Sequence, residues 1–257
     1  MKILFFGDIF GRTGRRAVVD FIARKKKELS IDLVIANADN ISSGKGPIEK
    51  TYNELIDGGV DVLTCGDHIW DNKEVEVLLD DQKKLIRPIN YPKINPGEGY
   101  KIIEVDGQKI MIASVLGRVF TTEGLDSPFA TLDEAIEKEK CDTIFVDFHA
   151  EATSEKNAFG HYFAGRVSAI CGTHTHVQTA DEKILEGGTA YISDVGMCGP
   201  SEGVIGVDKD QSIKRFLSAI PTSFEPAEGR GQINAVIVEI GEDGKAKSID
   251  RINELTD

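Results

Sequence analysis

Three short apolar runs, Ile3–Phe6, Leu33–Ala36 and Val62–Cys65, each give way to a stretch of helical spacing before the next run begins. This alternation constrains the fold more than any other feature. Two strands joined through a helix return parallel to each other, whereas a tight turn would make them antiparallel. The helical stretches are Thr13–Leu29, with Val18, Phe21 and Ile22 at helical spacing, then Ile48–Ile56, stopped by Gly58-Gly59, then Lys73–Leu79. An α/β fold built on parallel strands is the expectation. Lys25-Lys26-Lys27 lies on the outer part of the first helix and reads as a solvated face.

Antiparallel pieces join later. Tyr100–Val105 and Lys109–Val115 flank Asp106-Gly107, a strong hairpin signal. Leu132–Lys140 and Ser154–Phe163 read as helices. Thr143–Phe148, Val167–Cys171, Thr189–Ser193 and Ile233–Glu239 read as strands, the last hairpinned through Gly241–Gly244 to Lys247–Arg251. No clear linker or repeat divides the chain, so one domain over residues 1–257 is expected.

The net charge of −13 limits the partners. An acidic chain lacks the electrostatic footprint for long nucleic acid and is repelled by anionic lipid. A small anionic substrate stays open if something local, such as a divalent metal, supplies positive charge. The opening Met1–Asp8 stretch is too soon interrupted for a signal peptide, and no apolar run approaches a membrane span. Cys65, Cys141, Cys171 and Cys198 form no C-x-x-C pair, so reduced thiols and a cytoplasmic location are expected. A homo-oligomer is left open.

Side chains able to hold metal recur where strands should end. Asp8 follows the first run, Asp39-Asn40 the second and Asp67-His68 the third; His149 ends Thr143–Phe148, and His174 and His176 follow Val167–Cys171. The carboxyl ends of parallel strands gather in one crevice. In an extended backbone residues i and i+2 share a side, so His174 and His176 are expected to face one spot. The bland alternative makes each Asp or Asn a turn residue and each histidine structural. Carboxylates mixed with imidazoles suit Mn, Fe or Zn better than Mg or Ca, with Fe or Mn ahead of Zn. Three carboxylates and three histidines are too many for one ordinary site and suit two ions that share a bridging carboxylate.

The order Gly7-Asp8, Asp39-Asn40, Gly66-Asp67-His68, His149 and Gly172-Thr173-His174-Thr175-His176 resembles the calcineurin-like metallophosphoesterases, and within them the bacterial YmdB family. The segments Asp147–Lys156, Gly172–Glu182 and Asp194–Met197 extend the resemblance nearly end to end. It implies a two-sheet sandwich flanked by helices, in four αββα layers. It also implies that Asp8, Asp39 and His176 hold one divalent transition-metal ion, that Asp67, His149 and His174 complete a second, and that Asp39 bridges them. His68 would be the general acid or a phosphate contact, and Asn40 would bind the phosphate or a water. The implied activity is hydrolysis of small phosphodiesters, 2′,3′-cyclic nucleotides included, by in-line attack of a metal-bridging hydroxide. The family usually has Glu where this chain has Asp39 and Asn where it has Asp67. A metal-dependent amide hydrolase and a regulatory or scaffolding protein with a weak metal site are the rival readings.

Several neighbours carry expectations of their own. Ser42–Gly46 lacks the residue order of a phosphate loop and reads as a loop beside the site. Glu151 is either a partner that orients a histidine or a solvated turn residue. Thr153-Ser154-Glu155-Lys156 reads as a helix start. Cys65 and Cys171 read as buried thiols, His161 as a surface residue, and Trp70 as packing behind the site.

Overall fold

The computed structural model describes residues 1–81, 84–121 and 124–256. The first half contains β1 (Lys2–Phe6), β2 (Asp8–Ile9), α1 (Gly11–Lys25), β3 (Leu33–Asn37), α2 (Glu49–Asp57), β4 (Val62–Thr64), a 3₁₀ turn (Asp67–Trp70), α3 (Val75–Asp81), β5 (Tyr100–Val105) and β6 (Gln108–Leu116). The second half contains α4 (Pro128–Lys138), β7 (Thr143–His149), α5 (Thr153–Phe163), β8 (Ala169–Thr173), β9 (Lys183–Leu185), β10 (Thr189–Ile192), β11 (Met197–Pro200), α6 (Lys209–Ser218), β12 (Gly231–Ile240) and β13 (Ala246–Leu255).

These strands make two sheets. One has the order β2-β11-β12-β1-β3-β4, with β13 added against β12; the other runs β5-β6-β7-β8-β10-β9. The expected parallel core is present in both: β1, β3 and β4 are parallel, as are β6, β7, β8 and β10. The Asp106-Gly107 hairpin forms with both residues at positive φ, 50° and 80°, as a two-residue loop of the mirror-image type requires.

Alternation along the strands explains the layers. On β1, Ile3 and Phe5 face one way and Leu4 and Phe6 the other. Ile3 and Phe5 enter a core shared with Ile112, Phe145 and Ala169 of the second sheet, where Phe5 meets Phe145 edge-on at 5.1 Å. Leu4 and Phe6 pack outward beneath Val18 and Phe21 of α1. The far face of the second sheet packs Met111, Val146 and Phe148 against Phe159 and Phe163 of α5. Helix, sheet, sheet and helix are therefore stacked over three buried layers, the αββα sandwich that the resemblance implies.

The edges of several elements moved. α1 stops at Lys25, four residues short of Leu29, and the chain leaves through turns that end at Ser30 in the left-handed region (φ 55°). α4 starts at Pro128, ahead of Leu132, because Ser127 caps it by accepting the N–H of Ala130. The strand expected at Val167–Cys171 is shifted to Ala169–Thr173, since a turn at Gly165 (φ 75°) still holds Val167 to Phe163. Among the described residues no helix is long and apolar enough to cross a membrane.

Candidate metal centre

The carboxyl ends of the parallel strands of both sheets meet in one place. His149 is the last residue of β7 and is fully buried. Its Nδ1 lies 2.9 Å from the Thr173 hydroxyl, which itself donates to Asp147 at 2.7 Å. A hydroxyl that has given its one hydrogen to a carboxylate accepts from the imidazole. That fixes the hydrogen of His149 on Nδ1 and leaves the Nε2 lone pair aimed into the site.

Around His149 Nε2 stand Asp67 Oδ1 at 3.1 Å, Asp39 Oδ2 at 3.4 Å and His174 Nδ1 at 3.0 Å. His174 in turn has its Nε2 against Glu151 at 3.1 Å. Four acceptor atoms thus converge, and of them Asp39 Oδ2 also accepts the His68 N–H at 3.3 Å. Such an arrangement fits a cation, and the mix of oxygen and nitrogen fits a transition metal. Asp67, His149 and His174 form one tight group of ligand atoms; Asp39, Asp67 and His68 form a second.

A further cluster adjoins it. Asp8 Oδ1 lies 3.8 Å from His176 Nε2, and the Asn40 amide lies 3.5 Å from Asp8 and 3.3 Å from His176. His176 directs Nε2 inward because its Nδ1 donates to the Ile205 carbonyl at 2.8 Å. Ile205 holds that carbonyl in place from a left-handed conformation (φ 48°), which is strained for a β-branched residue.

All eight residues singled out in the sequence are therefore brought together: Asp8, Asp39, Asn40, Asp67, His68, His149, His174 and His176. The reason given for the histidine pair needs correction. β8 ends at Thr173, and His174 and His176 have φ of 104° and 64°, so neither is extended. They do not face one spot. His174 turns to His149 and Asp67, and His176 to Asp8 and Asn40.

The loop that carries them is fixed by a buried ion pair. Lys156 Nζ lies 2.7 Å from Asp194 Oδ2 and donates to the Thr173 carbonyl at 2.8 Å, while Asp194 accepts the Thr175 N–H at 3.0 Å. Asp39 is held just as firmly: its Oδ1 accepts the N–H of Gly66 at 2.6 Å and of His68 at 3.1 Å. Gly66 must be glycine, since a Cβ there would overlap the His149 ring.

Burial pushes His149 toward the neutral form, but Asp39, Asp67 and Asp8 outweigh it and raise its pKa well above the usual histidine value. Burial raises the Asp67 carboxyl, yet the hydrogen bonds and charges of His149 and His174 overcome this and hold it below the carboxylate range. Burial also lowers His68, and Asp39, Asp67 and Asp71 more than restore it, leaving it raised; its Nδ1 is 2.8 Å from Asp71. Asp147, wholly enclosed, is pushed up to about 6 by burial.

The neighbours resolve as follows. Glu151 is half exposed and also bonds His174, so both of its readings hold. Trp70 packs edge-on against Tyr91 at 5.5 Å. Cys65 and Cys171 are buried, with thiols raised by burial, and His161 is exposed. Ser42–Gly46 folds beside Asn40, whose carbonyl accepts the Gly44 N–H. Sequence reading gave no role to Asn37, Thr64, Asp147 and Thr173 behind His149, nor to the Lys156–Asp194 pair. The one available signal was a run of polar residues at the inward ends of apolar strands.

The profile of the family described as "YmdB-like protein" matches residues 4–252. The chain belongs to that family. It is 44% identical over 255 residues to the 2′,3′-cyclic-nucleotide 2′-phosphodiesterase of Bacillus subtilis, covering 98% of this chain and 96% of the relative. A phosphatase of Mycoplasma pneumoniae superposes with a TM-score of 0.94 at 39% identity, covering 99% of this YmdB-like chain and 93% of the other. The 5′-nucleotidase precursor of Thermus thermophilus, 12% identical, matches with a TM-score of 0.57 over 99% of this chain and 54% of its own. At that identity the likeness is one of fold alone.

Proposed function

We propose that this chain is a dinuclear-metal phosphodiesterase acting on small diesters, 2′,3′-cyclic nucleotides among them. The chain is a phosphoesterase, on the strength of its family and relatives. What carries the finer reading is the position of His149. Its Nε2 meets Asp67 at 3.1 Å, while its Nδ1 edge lies 3.8 Å from Asp8, so one buried ring separates two groups of ligand atoms.

In this reading Asp8, Asp39 and His176 would hold one ion, and Asp67, His149 and His174 the other, with Asp39 common to both. When bound, the ions supply an activated water and positive charge at the phosphoryl oxygens. The Asn40 amide, set between Asp8 and His176, donates to a phosphoryl oxygen. His68 is oriented by Asp71 through Nδ1, so a proton on Nε2 is free for the leaving oxygen. Its side chain is 40% exposed, at the mouth where that oxygen departs. Asp147, through Thr173, keeps the His149 lone pair pointed inward. We read the chain as one domain, and its four free thiols fit a cytoplasmic setting.

The test is elemental analysis after reconstitution with Mn or Fe, joined to a substrate panel. Two equivalents of metal per chain are expected, with bis(p-nitrophenyl) phosphate and 2′,3′-cyclic nucleotides turned over faster than p-nitrophenyl phosphate. A plateau at one equivalent that His149→Ala leaves unchanged sinks the dinuclear reading. Faster turnover of the monoester sinks the diester reading.

A further inference from the structure

A loop beside the candidate metal centre carries an aromatic side chain that the described residues leave almost uncovered. Where β6 ends, Gly117 donates its N–H to the His149 carbonyl at 2.8 Å. The Glu155 carboxylate, in the first turn of α5, accepts the N–H of Arg118 at 2.9 Å and of Val119 at 3.1 Å. Thr121 closes the loop by donating its hydroxyl to the Gly117 carbonyl. On the other flank, Leu116 and Leu125 pack in the same apolar cluster as Ile69, with Trp70 against it, and these two residues follow His68. The loop therefore starts beside the last residue of β7, and β6, which leads into it, reaches the segment before His68 through the Ser114 hydroxyl, which donates to the Cys65 carbonyl at 2.6 Å.

At its tip stands Phe120, 87% exposed and at φ 65°. A left-handed backbone is an outlier for a bulky residue and costs free energy. Burial offsets nothing here, because the ring lies in solvent. Strain that persists without packing, on a loop tied down by hydrogen bonds at the rim of a site, points to a role in binding.

We propose that Phe120 is a stacking platform for the base of a nucleotide substrate. This rests on the phosphodiesterase reading above and adds what the site recognises beyond the phosphate. In a 2′,3′-cyclic nucleotide the leaving oxygen remains on the ribose that carries the base. The base therefore stays with the leaving group, on the side from which His68 would deliver its proton, and the proposed stack puts Phe120 within its reach. Every base has a π face, so such a stack tightens binding of nucleosides while choosing weakly among them. Trp70, the neighbouring aromatic, is engaged with Tyr91.

The experiment compares 2′,3′-cyclic AMP with the base-free methyl riboside 2′,3′-cyclic phosphate, using Mn-loaded enzyme. The unaltered enzyme should favour the nucleotide in kcat/KM. Phe120→Ala should reduce that preference by about tenfold or more, through KM rather than kcat, the scale expected for one lost base–aromatic stack. Phe120→Trp should restore it. In metal-free Phe120→Trp, where no turnover occurs, 2′,3′-cyclic AMP should quench indole emission beyond that of protein carrying Trp70 alone. A preference unchanged in Phe120→Ala overturns the stack while leaving the phosphodiesterase reading intact. If the unaltered enzyme turns over neither cyclic phosphate, that reading fails, and the stack with it.

Discussion

Nδ1 of His174 faces Nε2 of His149 across 3.0 Å. Each nitrogen points there because the other nitrogen of its ring is engaged, by Glu151 and Thr173 respectively. Two lone pairs do not face each other so closely without a proton or a cation between them. In metal-free protein the proton serves. Although burial opposes it, Asp39, Asp67 and Asp8 raise the affinity of His149 for it. A folded-state pKa above the unfolded value gives stability that is full below about pH 6.5 and is lost as pH rises through the raised value. Chelated protein should therefore melt at progressively lower temperature on the alkaline side of about pH 6.5. Mn-loaded protein should not, because the ion takes the proton's place. Melting curves across pH with and without metal check this, and parallel profiles would count against it.

His68 should govern the alkaline limb of activity. A general acid must carry its proton, so turnover falls as pH rises through its raised pKa. Asp71→Asn removes a carboxylate 2.8 Å from Nδ1 and should move that limb of the kcat profile to lower pH. His68→Ala should lose on the order of 10²–10⁴ in rate, keep both ions, and recover on diesters whose leaving groups need no proton. Loss of an ion in His68→Ala would make it a ligand instead.

Asp67 should govern the acidic limb. Its carboxylate adds a negative charge that an amide there lacks, which weakens the pull of a bound cation on the attacking water. Asp67→Asn should shift the acidic limb to lower pH and weaken metal retention. Paired kcat profiles with saturating Mn decide it. No movement in either limb or affinity would mean that Asp67 touches no metal.

Lys156 should matter for stability more than its distance from the chemistry implies. Lys156→Met leaves Asp194 enclosed without its cation, and leaves the Thr173 carbonyl with only the longer Ala150 N–H bond at 3.4 Å. Removing one partner of such a pair costs about 3–5 kcal/mol. Denaturant melts should show that loss, and adding Asp194→Asn should recover part of it. A change under about 0.5 kcal/mol would place the pair among surface-like interactions.

The parallel α/β core and the gathering of metal-capable residues were legible because both follow from short-range patterns, whereas the two-sheet sandwich rested on the resemblance. Ile3–Phe6 and Leu33–Ala36 announce strands, and the metal-capable residues sit where those strands stop. The conformation of the His174–His176 loop was not legible, since Lys156 and Asp194 dictate it from far along the chain. α6 escaped for another reason. It buries only Ser212 and exposes Ile213, Phe216 and Leu217, so no inward apolar face marked it, although Asp208 caps its start. Phe120 was equally silent, because nothing in sequence distinguishes an exposed phenylalanine from a buried one.

β12 lies between β11 and β1 in the first sheet, and the Met1 amino group donates to Ile240, 239 residues away. On the ribosome, the edge of β1 that faces β12 therefore stays unpaired until residues 231–240 have been made. Every proposed ligand is synthesised by His176, yet the sheet edge beneath Asp8 stays open until Gly231–Ile240 emerges. Translation that stalls between those points yields a chain with every candidate residue made but β1 unpaired on one side, an edge open to chaperones and proteases.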